Sequence, residues 1–107
     1  MNVHEIRRLV DPFEDVIWAG TEPLTREEIA QAIEKGDLLG DPIIMRDITE
    51  TLEELRARHV RRVAYFVVHD WTCPLLLDGP KLIDGHHRFA AALYRGDAQV
   101  EIQVLFS

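Results

Sequence analysis

Apolar and polar positions change their spacing several times along this chain, and each change predicts an element. In residues 3–10 (VHEIRRLV) valine and isoleucine are interleaved with charge, which predicts a short strand broken by Asp11-Pro12. Residues 13–24 (FEDVIWAGTEPL) keep no period and predict an irregular connector. From Thr25 the spacing becomes helical. Ile29, Ala32 and Ile33 form an apolar stripe, Thr25 and Glu28 form a capping box, and Gly36 supplies a stop. The run Pro42-Ile43-Ile44-Met45 predicts a short buried strand. Ile48, Leu52, Leu55 and His59 recur at helical spacing, predicting a helix over about 49–59 with an acidic start and a basic end.

The remaining residues alternate between strand and helix signals. Residues 62–69 (RVAYFVVH) are β-branched and aromatic, which predicts a central strand. Leu75–Leu77 and Lys81–Ile83 flank Asp78-Gly79-Pro80 and predict a hairpin. A helix is expected from about 85 to 95, stopped by Gly96, and VEIQVLF (100–106) alternates as a closing strand. The sum is one small α/β (α+β) domain over residues 1–107, a mixed sheet flanked by about three helices.

Composition narrows the function classes. The 107 residues carry 12 Lys+Arg against 19 Asp+Glu, a formal net charge of −7. That balance disfavours a broad track for DNA, whose backbone is held mainly by excess cations. A single cysteine, Cys73, excludes an internal disulfide framework and points to a reducing compartment. No apolar run approaches the ~18 residues of a membrane span, and MNVHEIRRLV lacks a signal peptide's apolar stretch. A cytoplasmic protein without membrane contact is expected.

Candidate chemistry concentrates in Leu82-Ile83-Asp84-Gly85-His86-His87-Arg88-Phe89-Ala90-Ala91-Ala92. An apolar strand enters Asp-Gly and a helix follows at once, with Asp84 as the expected N-cap. The first backbone N–H groups of a helix lack intrahelical partners. Gly85 leaves room for a ligand against the backbone. His86, His87 and Arg88 add donor side chains, so the junction suits phosphate or another oxyanion. A purely structural cap, with Arg88 paired to a nearby carboxylate, explains the same residues. Adjacent histidines point about 100° apart on a helix, which disfavours a shared metal. No metal site is assigned.

The segment from Leu82 to Ala92, followed by Gly96 and Val100–Phe106, resembles the ParB/sulfiredoxin-like (ParB-like nuclease) domain. Its DGHHR run is most similar to that of the superfamily's free serine kinases. The resemblance implies a nucleoside di- or triphosphate, such as ATP or CTP, with its phosphates at Asp84, Gly85, His86, His87 and Arg88. Phosphoryl transfer or nucleotide hydrolysis would follow, with Mg²⁺ offsetting phosphate charge. By the same resemblance a connector glutamate acts as base on a small hydroxyl-bearing substrate; Glu14, Asp15 and Glu22 are available, and Glu22 is the choice. Sulfiredoxins carry their catalytic cysteine where this chain has His86, so that activity is not expected. Chromosome-partition proteins of the superfamily continue into a helix-turn-helix and usually carry an arginine-rich cradle where this chain has two histidines, so a stand-alone partition factor is not expected.

Two further readings stay open. In a nuclease, His86 or His87 would be acid or base and Asp84 would hold a metal. In a non-catalytic module, the junction would sense a nucleotide and act through a protein partner. Elsewhere the simplest accounts are structural. Trp18 reads as a hydrophobic plug or a stacking surface, and Cys73 as an apolar filler beside a buried Trp71. His59 fits a helix C-terminus and His4 an exposed strand, while Arg58, Arg61 and Arg62 read as a solvated patch or a contact for an anionic ligand or partner, the patch being the simpler account. His69, Asp70 and Cys73 are too few and too close for a structural zinc site.

Overall fold

The computed structural model describes residues 1–18, 21–43 and 49–105. Its elements are α1 (Val3–Arg7), α2 (Arg26–Lys35), α3 (Leu52–Val68), β1 (Leu75–Asp78), β2 (Lys81–Asp84), α4 (His86–Arg95) and β3 (Ile102–Val104). The architecture is a small mixed α+β domain with four helices and a three-stranded sheet among the described residues.

Helix α2 follows its local signals. The Glu28 N–H donates to Thr25 Oγ1 at 3.3 Å, that hydroxyl donates to the Glu28 carboxylate at 2.8 Å, and Gly36 ends the helix at φ 72°. Helix α3 begins the same way, with the Glu54 N–H donating to Thr51 Oγ1 at 3.1 Å. Arg56 then ties the two helices together. Its guanidinium meets the Glu28 carboxylate and donates to the carbonyls of Pro23 and Glu22, fixing the end of the connector.

Two expected strands are helical. Residues 3–7 form α1, where the Asn2 side chain accepts from the His4 N–H at 2.8 Å and Val3 and Ile6 bury one face. Their spacing of three is helical, and the intervening charges point outward. The expected strand 62–69 is the second half of α3, which runs 17 residues rather than ending near His59. Leu55, His59 and Val63 continue one buried stripe at i, i+4, i+8, with Val60 and Ala64 beside it. Packing of that stripe overrides the β preference of valine and the aromatics. The expected strand at 42–45 lies largely outside the described residues, as do Gly20, Ile48 and Phe106.

The sheet runs β2-β1-β3. β1 and β2 form the expected antiparallel hairpin, with an irregularity between Leu76 and Leu77, and β3 pairs parallel to β1 after the α4 crossover. Helix α4 sits between two apolar clusters. Phe89, Ala92 and Leu93 join the sheet residues Leu75, Leu77 and Leu82, while Ala90 and Ala91 meet Val60, Val63 and Ala64 of α3. Alanine on both sides allows the close approach that holds the N-terminus of α4 against the sheet and α3. No helix among the described residues is long and apolar enough to cross a membrane.

Candidate functional site

Helix α4 starts without a side-chain cap. Its N-cap is Gly85 at φ 100°, and among the described residues no side-chain oxygen accepts from the first-turn amides. The expected cap, Asp84, instead ends β2 and lies beside Arg88, 3.4 Å from its Nη2. The reason lies in packing at Gly85. A Cβ there would come within 2.5 Å of the Leu75 side chain and 3.1 Å of Arg88 Nη2, so the residue turns through left-handed backbone without a side chain. This leaves Asp84 one position too early to cap.

The open helix end faces a cavity of about 740 Å³. Asp84 to Arg88 form one wall, Arg62, Tyr65 and Phe66 of α3 another, and Trp18, Gly40, Pro42, Ile43 and the segment Asp70–Pro74 add to the lining. Among the described residues two guanidiniums face this space, in a chain of net charge −7. Arg88 donates to the Cys73 carbonyl at 2.7 Å and to the Pro74 carbonyl at 3.3 Å, which fixes it at the rim. Arg62 lies over the Phe66 ring at 4.5 Å and donates to the carbonyls of Leu39 and Gly40. Burial, and then the repulsion of Arg88, lower the Arg62 pKa, while Tyr65 and Asp41 act the other way. Arg62 therefore belongs to this site rather than to a solvated patch.

Behind the cavity lies a cluster with no counterpart in the sequence spacing. His59 Nδ1 and His87 Nε2 are 2.8 Å apart. The rings lie within 15° of one plane with centroids 5.0 Å apart, so they meet edge to edge. The Trp18 indole stacks on both, 4.3 Å from His59 and 4.7 Å from His87. Trp18 is thus a roof over a histidine pair, and His59 lies mid-helix at 5% exposure rather than at a helix end. Burial, then Arg58, push the His59 pKa down to about 4 against the opposing pull of Glu50. Burial, then His59, Arg62, His86 and Arg88, push His87 down to about 3. Both rings are neutral at pH 7. His86 is lowered as well, by burial, with Asp84 and the Leu82 carbonyl acting in the opposite sense.

The structure therefore gathers Asp84, Gly85, His86, His87 and Arg88 around one cavity, but Glu22 does not line it. The Glu22 side chain is exposed and its carbonyl serves Arg56. His87 is committed to His59 and cannot act as a proton donor at neutral pH. Among the described residues the carboxylates at the cavity are Asp70, held 3.0 Å from Arg95, and Asp84, whose side chain is 74% exposed. Cys73 is an exposed free thiol at the rim rather than a filler, and Trp71 is only half-buried. On the far side of residues 70–73 lies a second cavity of about 450 Å³ with Asp97 and Glu101, a lining of the wrong sign for an anion. No cluster of three or more metal-ligating side chains occurs among the described residues. Compared with protein-family models, with curated proteins and with solved structures, the chain matches none of them.

Proposed function

We propose that the cavity at the start of α4 binds the phosphate groups of a nucleoside di- or triphosphate, as the resemblance to ParB/sulfiredoxin-like domains implies. One observation carries the reading: first-turn amides that no side chain of the described residues caps line a cavity that Arg62 and Arg88 also line. Unpartnered N–H groups and the positive helix end favour an anion, and guanidiniums add charge-assisted bonds. The rings of Tyr65, Phe66 and Trp71 offer apolar surface for the rest of the ligand. Asp84 and Asp70 could contribute to a Mg²⁺ ion shared with the phosphates, since Mg²⁺ commonly takes one or two carboxylates plus phosphate oxygens.

Binding is better supported than turnover. The Glu22 carboxylate stands away from the cavity and His87 is tied into the histidine pair, so neither supports general acid–base chemistry here. The same commitment of His87, with the net charge of −7, argues against the nuclease alternative.

The test is a thermal-shift and calorimetric panel of ATP, ADP, CTP and GTP, with and without Mg²⁺. A nucleotide at 100 times its Kd adds about 2.7 kcal/mol to stability. Arg62→Ala should weaken binding about tenfold or more, the loss of a charge-assisted contact. Absence of binding by every nucleotide would overturn the proposal.

A further inference from the structure

We infer that anion binding at the start of α4 is coupled to the uptake of a proton by the buried His59–His87 pair. The inference rests on the phosphate reading above and adds a regulatory property to that site: affinity that rises as the pH falls.

The geometry supplies an acceptor. Two neutral imidazoles carry two N–H groups, and one of them is used between His59 Nδ1 and His87 Nε2. One remote nitrogen therefore keeps an unprotonated lone pair: His59 Nε2 if His59 donates, His87 Nδ1 if His87 donates. A solvent proton added there forms one N–H bond and breaks none, and it leaves an imidazolium hydrogen-bonded to an imidazole. The Trp18 indole covers both rings, placing the negative face of an aromatic against the new charge.

The surroundings decide when that proton is held. His87 on α4 is faced by Arg62 of α3 and by His86 and Arg88 of its own helix, and His59 has Arg58 beside it with Glu50 opposed. For the protein alone, burial and these cations keep both rings unprotonated. A phosphate at the first turn of α4 brings negative charge against Arg62 and Arg88, the same groups that repel the proton. Its arrival offsets their field at His87, and reciprocity requires that the proton in turn tighten the anion. Only His87 and Trp18 of the cluster reach the cavity, and His59 lies behind them. Proton and ligand therefore occupy neighbouring but separate places.

Imidazole ¹⁵N resonances of the full chain, followed through a pH titration with and without ADP, read the ring charges directly and are blind to the proton on ADP itself. With ADP bound, the titration of the His59–His87 pair should move up by about one pH unit or more, a tenfold linkage. Calorimetry at about pH 8, where the unperturbed histidine is neutral, shows separately whether ADP binds. Binding there with unmoved His59 and His87 signals, or with His86 alone responding, overturns the coupling and leaves the phosphate reading standing. No binding of ADP at about pH 8 or at about pH 5 overturns both. His59→Gln should retain ADP binding at about pH 8 and lose most of the affinity gained on acidification. Should that variant fail to fold, the wild-type resonances still decide.

Discussion

Helices α3 and α4 begin in opposite ways. At α3 the chain closes its own end: Thr51 Oγ1 accepts from the Glu54 N–H and donates to the Glu54 carboxylate at 3.2 Å. At α4 a glycine holds the corresponding position, and no side chain among the described residues answers the amides. The closed start is exposed and serves the helix. The open start is recessed against the sheet, with an arginine on each side of its cavity. Within one chain, the difference separates a helix end spent on stability from one left free for a ligand.

The comparison breaks most sharply at the glycine. Gly85→Ala places a Cβ in left-handed backbone and against Leu75, and should cost roughly 2–4 kcal/mol in a urea titration. The histidine pair behind the open end gives the next effect. Because the folded rings titrate near 4 and 3, below the unfolded value near 6.5, the unfolded chain binds more protons across that window. Stability is full above about pH 6.5 and falls on acidification, by up to about 1.4 kcal/mol per pH unit for each ring. Melting curves should flatten between about pH 6.5 and 5 in a His59→Gln, His87→Gln double variant. At the closed end, Thr51→Ala removes a cap and should cost about 1 kcal/mol, read as a fall in Tm, without altering nucleotide affinity. The smallest effect belongs to Asp84→Asn. Its contact with Arg88 is exposed and long, so stability should move by less than about 0.5 kcal/mol in the same melts.

What the sequence made legible follows the reach of each signal. The α2 box and its stop glycine lie within one short segment, and so do the β1–β2 turn and the DGHHR run; these were readable. Failures began where packing across the chain outweighed local preference. Val63 and Val67 look like strand residues, yet they continue the stripe begun at Leu55 and His59. Val3 and Ile6 could serve either period, and their burial against the α4 region decides for a helix. Asp84 missed its capping role by one residue, because the Leu75 side chain dictates where the glycine turns. The site was legible mainly along its α4 wall, with Arg62 and Trp18 open to either a structural or a ligand-facing account. Trp18, His59 and His87 come together from three distant positions, and no spacing rule joins them.

The first residues of the chain have a consequence for the order of assembly. The Met1 amine donates to the Val100 carbonyl at 2.9 Å, the Val100 N–H returns to Met1, and the Val3 N–H donates to the Ala98 carbonyl at 3.0 Å. During translation α1 therefore waits, with Val3 and Ile6 uncovered, until residues 98–100 have cleared the ribosome. At about 5–20 residues per second that delay lasts several seconds, an interval in which a nascent chain is open to chaperones and proteases. A segment made before the sheet thus waits for one made after it.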